Sequence, residues 1–289
     1  MEYEGQICRT PMERGAYMLP VTVGCSYNRC RFCTLFKHLH YRELPLEQIE
    51  KELERVRKAG GSPKKVFLGD GNAFQLEAGT LMEIIGLLRR VFPSCAAVHM
   101  DATVTSIAQK SDAELADLAR AGVRRLYLGI ETGLDDVLRF MDKDHTLAQA
   151  YEQIGRISSF GIQYAAHIMT GVAGKGRGQE NAEATARFLN ETRPCSITNF
   201  SLFLHRKAPL CREIESGRFQ PADETENLRE ARQLIDLLQV DDVDFDGFHD
   251  HIFFRVRGRL PQDQEKMLAA LDAEIARRQS QPPVFAYLD

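Results

Sequence analysis

Cys25, Cys30 and Cys33 fall within nine residues, in the run Gly24-Cys25-Ser26-Tyr27-Asn28-Arg29-Cys30-Arg31-Phe32-Cys33. Thiolates are soft ligands. Gaps of four and two residues let one short loop wrap three corners of a cubane iron–sulfur cluster and leave the fourth corner open. The same thiols with His38 or His40 would make a closed zinc site of three cysteines and one histidine. The spacing alone does not separate cluster from zinc.

Such a loop needs elements to hold it. The apolar run 17–23 just before it reads as a strand. Leu46, Ile49, Leu53 and Val56 recur at helical spacing, and Gly60-Gly61-Ser62-Pro63 stops that helix. A strand over 66–68 then ends in Gly69-Asp70-Gly71-Asn72 and is followed by a helix over 78–91. The pattern repeats as strand 96–100 with helix 111–121, which opens on a Ser111/Glu114 capping box. Strand 125–130 ends in Glu131-Thr132-Gly133, and helix 146–160 follows. Strand 162–169 ends in Thr170-Gly171, with helix 179–191 and strand 196–204 after it.

Strands and helices alternating at these lengths predict an α/β fold of about six parallel units, as an open sheet or a partial barrel. In either, ligands sit where strands end at their carboxyl side. The unusual features all sit there. The cysteine loop follows the first strand and Gly69 to Asn72 the second, His99 and Asp101 close the third, and Glu131-Thr132 follows the fourth. One shared site is expected.

The last third differs in texture. Residues 222–239 read as a helix, and 240–250 as an acidic, aromatic loop with Asp241, Asp242, Asp244, Asp246 and Asp250. In 252–260, Arg255, Arg257 and Arg259 share one face and Phe254 and Val256 the other, the pattern of a half-buried strand. An amphipathic helix over 262–278 closes this part. Residues 1–210 are thus expected to form the barrel or sheet, and 211–289 a C-terminal α+β extension packed on it.

Composition narrows the setting. The chain of 289 residues suits one large α/β domain or two small ones. Cys8, Cys95, Cys195 and Cys211 are scattered and the cysteine total is odd, which argues for a reducing compartment and against a disulfide framework. A net charge of −4 and a pI near 6.1 exert no global pull on nucleic acid. The first ten residues are polar, and no apolar run reaches the roughly 18 residues needed to span a bilayer. A soluble cytoplasmic protein without a membrane partner is the expectation.

With the cysteine loop, Gly69-Asp70-Gly71-Asn72 and Gly129-Ile130-Glu131-Thr132-Gly133 in this order at strand ends, the chain resembles the radical S-adenosylmethionine (SAM) superfamily. It is most similar to the branch of coproporphyrinogen dehydrogenases, methylthiotransferases and Elp3-type proteins. The resemblance spans about 17–210 and implies a partial (β/α)6 TIM-like barrel. One departure is the cluster loop, where four residues separate Cys25 from Cys30 and the usual spacing has three.

Carried over by position, the resemblance implies that Cys25, Cys30 and Cys33 ligate a 4Fe–4S cluster whose open iron takes the SAM amino and carboxylate groups. Phe32 stands at the position that packs on the adenine. Gly69, Asp70, Gly71 and Asn72 replace a Gly-Gly-Glu or Gly-Gly-Thr segment whose carbonyls receive the SAM amino group; glycine permits that approach. Glu131 stands where relatives hydrogen-bond the ribose or amino group. Lys143 replaces an Arg that pairs the SAM carboxylate, supplying the charge without the bidentate fork. His167 replaces a ribose-binding Asp and His99 a strand-three Glu, and for both an interior hydrogen bond is an equal alternative. Met169 to Val172 would flank the adenine.

The implied chemistry is one-electron reduction of the cluster, electron transfer into the sulfonium, and homolysis to methionine and a 5′-deoxyadenosyl radical. That radical abstracts a substrate hydrogen in an oxygen-sensitive enzyme. The implied partners are SAM, an electron donor such as ferredoxin or flavodoxin, and an unidentified small molecule or cofactor precursor. Modification of RNA or protein is the alternative, and a zinc or electron-transfer protein without a SAM pocket the third. His249, Asp250 and His251 in the acidic segment are candidate catalytic groups, against the plain alternative of a solvated loop. The three arginines of 252–260 either bind carboxylates or phosphates, pair with the aspartates or face water.

Overall fold

The computed structural model describes residue 4 and residues 9–288; Cys8 lies outside them. The chain forms two compact units. One comprises the chain up to Asn28, Leu35–Leu128 and Glu152–Tyr164, and the other Arg29–Thr34, Gly129–Tyr151 and the chain from Ala165 onward.

In the first unit, strands β1 (Tyr17–Pro20), β2 (Lys65–Gly69), β3 (Ala97–Ala102) and β4 (Val123–Glu131, as far as Leu128) lie side by side in parallel. They alternate in sequence with α1 (Leu46–Lys58), α2 (Ala78–Val91) and α3 (Asp112–Ala121). Val66, Phe67 and Leu68 are all fully buried, as a parallel strand covered on both faces requires. The Ser111/Glu114 capping box is present, and Gly122 closes α3 in the left-handed conformation with φ 113°. The expected strand 17–23 is interrupted: Thr22–Val23 leaves β1 to pair antiparallel with Arg42–Glu43. Helix α4 (Leu147–Ser159) runs through the boundary between the two sets of residues.

The second unit holds the end of β4, then β5 (Gln163–Thr170, from Ala165), α5 (Gly178–Thr192), β6 (Ser196–Ser201) and α6 (Glu224–Leu237). Strand β7 (Val243–His249), strand β8 (Phe254–Leu260) and α7 (Gln264–Arg278) follow. Strands β5, β6 and β7 pair in parallel and β8 pairs antiparallel with β7. Register sets Ile168, Asn199 and Gly247 side by side on one face, and His167, Thr198 and Asp246 on the other. The first face meets α5 and α6, because Ile168 and Asn199 share a small void with Asn181, Ala182, Glu230 and Leu234.

The acidic segment 240–250 is therefore mostly a strand and not a loop. Val243 and Phe245 are buried, and Asp244, Asp246 and Phe248 stand opposite Arg259, Arg257 and Arg255 of β8. Arg255 grips Asp246 through two hydrogen bonds, while Arg259 pairs with Asp242 and lies 3.8 Å from Asp244. Charges that look solvated in sequence satisfy one another across the hairpin. Two short helices, Val104–Ala108 and Asp135–Phe140, were not anticipated, and the strand expected over 196–204 ends at Ser201 before resuming as Leu204–His205. Among the described residues no helix is long and apolar enough to cross a membrane.

Candidate cofactor site

The first unit carries Cys25, the glycine loop and His99. Gly71 has φ 53°, and a Cβ there would lie 2.4 Å from the Gly24 carbonyl oxygen and 3.0 Å from Cys25 Cα. Only glycine lets this loop pass against the start of the cysteine loop. Asn72 Nδ2 donates to Ser26 Oγ at 3.3 Å and Thr103 Oγ1 at 3.1 Å, which ties the two loops to the end of β3. Thr22 Oγ1 donates to the Asp70 carbonyl at 2.7 Å, the Gly69 carbonyl accepts from Val21 N–H, and the Asn72 carbonyl accepts from Gln75 N–H. Three of the four carbonyls in Gly69 to Asn72 thus already serve the fold.

His99 makes the interior hydrogen bond: its Nδ1 lies 2.6 Å from Glu13 Oε1. Tyr127 OH donates to the same oxygen at 2.6 Å, and Lys65 Nζ lies 2.8 Å from Oε2. Burial would raise the Glu13 carboxyl, yet the His99, Lys65 and Tyr127 hydrogen bonds outweigh it and hold the group at about 2. Sequence reading missed Glu13, which sits in a polar N-terminal segment without periodicity. Asp101 lies at the end of β3. Burial, with the charges of Asp70 and Glu13 adding to it, pushes its carboxyl up to about 8.

The second unit gathers Cys30, Phe32, Cys33, Glu131, Lys143, His167 and Met169. Arg31 N–H donates to Met141 O and Arg31 O accepts from Leu210 N–H, both at 2.9 Å, so the segment is pinned from two sides. Phe32 packs against the cluster containing Met169 and Val172. Lys143 Nζ lies 6.0 Å from the Phe32 ring centroid and 3.0 Å from Glu131 Oε1. A Cβ on Gly129 would fall 2.5 Å from that oxygen and 3.0 Å from Nζ, so glycine makes room for the pair.

Burial would lower the Lys143 ammonium, but the charges of Glu131, Cys30 and Asp144 outweigh it and hold it above its ordinary value. Lys143 therefore stays a cation in a dry site, which suits a carboxylate ligand. Burial and the nearby Lys143 charge push His167 down to about 4, so the imidazole is neutral near pH 7 and can donate or accept without adding charge.

His249, Asp250 and His251 are not gathered into one group. His249 is fully buried at the end of β7, with Nδ1 2.7 Å from Ser201 Oγ and 3.1 Å from Glu224 Oε2 on the first residue of α6. Asp250 is exposed, and His251 is half-exposed with its ring 5.9 Å from that of Phe203.

Cys25, Cys30 and Cys33 form no disulfide among the described residues, and all three are half-buried. Among the described residues, no three His, Cys, Asp or Glu side chains gather as ligands for a single metal ion. Three soft donors in one loop, with a glycine where a Cβ would press on Cys25, fit an iron–sulfur cluster.

The Radical SAM superfamily profile matches residues 19–189, and the chain belongs to that superfamily, whose enzymes use a 4Fe–4S cluster and SAM. It is 24% identical over 153 residues to the heme chaperone HemW of Bacillus subtilis, covering 50% of this chain and 40% of that protein. It is 26% identical over 166 residues to 4′-phospho-dehydrooxetanocin synthase of Priestia megaterium, covering 52% of this chain and 22% of that one. The chain thus spans less than half the length of these curated relatives. Among solved structures it resembles coproporphyrinogen III oxidase (HemN) from Escherichia coli, with TM-score 0.60 and 14% identity over 76% of this chain and 51% of that one. That likeness is one of fold.

Proposed function

We propose that this protein cleaves SAM reductively and uses the resulting radical to take a hydrogen from a small molecule or cofactor precursor. The observation that carries this reading is the Phe32–Lys143–Glu131 arrangement, in which a ring for the adenine, a cation for the carboxylate and an acceptor for the ribose or amino group converge beside Cys30. Cys25, Cys30 and Cys33 would hold the cluster, which when bound supplies the electron for SAM cleavage. The chain's own residues bind and orient. Lys143 neutralises the SAM carboxylate, and Glu131 accepts from the ribose or amino group. In the glycine loop the Gly71 carbonyl is the one assigned to the amino group, since its three neighbours serve the fold.

Phe32 and Met169 enclose the adenine and exclude water, which keeps a reactive carbon radical from side reactions. Neutral His167 donates to or accepts from the ribose. HemN and the heme chaperone lend a porphyrin-like substrate by analogy. The electron donor would be a ferredoxin or flavodoxin in the reducing cytoplasm.

The test is anaerobic reconstitution with iron and sulfide, followed by electron paramagnetic resonance of the reduced protein with and without SAM and assay for 5′-deoxyadenosine. A cluster signal that shifts on SAM addition, with deoxyadenosine formed, is expected. Tetrahedral zinc and no deoxyadenosine would return the loop to the zinc alternative.

A further inference from the structure

Behind the Glu131 end of β4 lies a buried polar network that the SAM chemistry above does not use. Glu230 of α6 is 3% exposed; its Oε2 accepts from Gly171 N–H at 2.9 Å and its Oε1 from Asn181 Nδ2 at 2.6 Å. Asn181 Oδ1 accepts a short hydrogen bond from Thr132 Oγ1, whose oxygen in turn accepts from Leu134 N–H at 3.1 Å. Thr185 Oγ1 accepts from Gly133 N–H at 2.9 Å. One carboxyl from the C-terminal third thus ties down both the turn after Glu131 and the turn after Met169. Both turns are unusual, with Glu131 at φ 64° and Gly171 at φ 79°. A side chain at 131 pays for the left-handed region, so outside bonds must hold it there.

A void of about 10 Å³ lies in the middle of this network, lined by Glu131, Met169, Asn181, Asn199 and Glu230 among others. That is about the room one water needs. Asn199 is fully buried, and neither its Oδ1 nor its Nδ2 has a hydrogen-bond partner among the described residues. Two unmet polar atoms beside a water-sized void call for a water that donates to one and accepts from the other.

We infer that Glu230 is a positioning residue for SAM binding: through Gly171 and Asn181, and with one buried water shared with Asn199, it holds the ends of β4 and β5 that present Glu131 and Met169. The inference rests on the SAM-binding role proposed for Glu131. Burial pushes the Glu230 carboxyl up to about 8, and the Glu226 charge on the same helix adds to the shift against the Gly171 and Asn181 hydrogen bonds. The other charged group at the void is Glu131, already paired with Lys143; α5 and β6 present the neutral Asn181, Thr185 and Asn199. On the α7 side, α6 offers the Arg232–Asp272 pair, which is largely exposed. A neutral Glu230 accepts from Gly171 N–H with one oxygen and donates from the other, to the water or to Asn181 with its amide turned round. Ionised, it has no proton to give and sets a second negative charge against Glu226 of the same helix.

The experiment uses the reconstituted holoenzyme and SAM itself, with dissociation constants from anaerobic equilibrium dialysis at pH 7 and pH 9. Wild type is expected to bind SAM about tenfold more weakly at pH 9, and Glu230→Gln, neutral throughout, to bind equally at both. Iron content and melting temperature at each pH verify that both proteins are folded and loaded. A Glu230→Gln profile that declines as wild type does, or a flat wild-type profile, overturns the inference and leaves the SAM site standing. Wild type that binds no SAM at either pH defeats the proposed function and the inference together. Asn199→Leu tests the water independently. A dry void predicts a higher melting temperature once the unmet amide is gone; a held water predicts an unchanged or lower one and weaker SAM binding at pH 7.

Discussion

The Lys143 ammonium lies 3.0 Å from a Glu131 carboxylate oxygen, with only 7% and 10% of the two side chains exposed. In so dry a setting each charge depends on the other, and removing one partner strands the survivor. Lys143→Met is expected to destabilise the protein by about 3–5 kcal/mol, read as the shift in a urea unfolding midpoint. Glu131→Ala is expected to weaken SAM binding by about ten- to a hundredfold, the loss of one charge-assisted hydrogen bond, while iron content stays at the wild-type value. Unchanged SAM affinity in Glu131→Ala would remove this carboxylate from the site.

The glycine loop gives a steric prediction. Gly71→Ala must open the gap to Gly24 and Cys25 or leave the left-handed region, and neither neighbour can yield because both contacts are backbone atoms. The backbone conformation alone costs about 1–2 kcal/mol. Reconstituted Gly71→Ala is therefore expected to retain less iron per protein than wild type and to melt lower. A variant with full iron and an unchanged melting temperature would show that the cysteine loop does not lean on this glycine.

Much of the frame was legible because periodicity survives burial. Residues 46–58 and 78–91 carried apolar stripes at helical spacing, and Ser111 with Glu114 marked where α3 begins. The acidic strand β7 was not legible as a strand. Asp246 and Asp242 are neutralised by Arg255 and Arg259, which antiparallel pairing brings diagonally across from them, a relationship between segments that composition does not reveal. The candidate Cys, Gly and Glu positions stood out in the sequence because their spacing is local. Glu13 and Glu230 were not. A buried carboxyl looks like any surface one until the donors that meet it, His99, Tyr127 and Lys65 for one and Gly171 and Asn181 for the other, are brought in by folding.

Two carboxyls of the first unit, buried Glu13 and half-buried Asp101, predict opposite responses to pH. Glu13 titrates at about 2 in the fold against 4.5 ordinarily, so its native form binds fewer protons between those values. Its stabilisation, on the order of 3 kcal/mol, is complete above pH 4.5 and is lost as the pH falls toward 2. Asp101 runs the other way. Raised from 3.8 to about 8, it holds a proton that the unfolded chain has released, so stability declines as the pH rises through that window. Urea denaturation from pH 3 to 9 should show Glu13→Gln flattening the acid limb and Asp101→Asn stabilising the protein more at pH 9 than at pH 5. Equal effects of Asp101→Asn at both pH values would contradict the raised carboxyl.

The β8 arginines separate structural from free cations. Arg255 holds Asp246, whose side chain is 7% exposed, and lies 4.2 Å from the Phe248 ring centroid, with Phe248 stacked on Phe200 at 5.5 Å. Arg257, on the same strand face, is exposed and has no ion-pair partner among the described residues. Arg255→Met should leave Asp246 buried and unpaired and lower stability by about 3 kcal/mol or more, whereas Arg257→Ala should fall within about 0.5 kcal/mol of wild type. The double variant Arg255→Met with Asp246→Leu should regain much of the loss, because removing both charges removes the desolvation cost that stranding one creates. If Arg255→Met alone is as mild as Arg257→Ala, Asp246 finds water or another donor, and the hairpin's charge pairing contributes little to the fold.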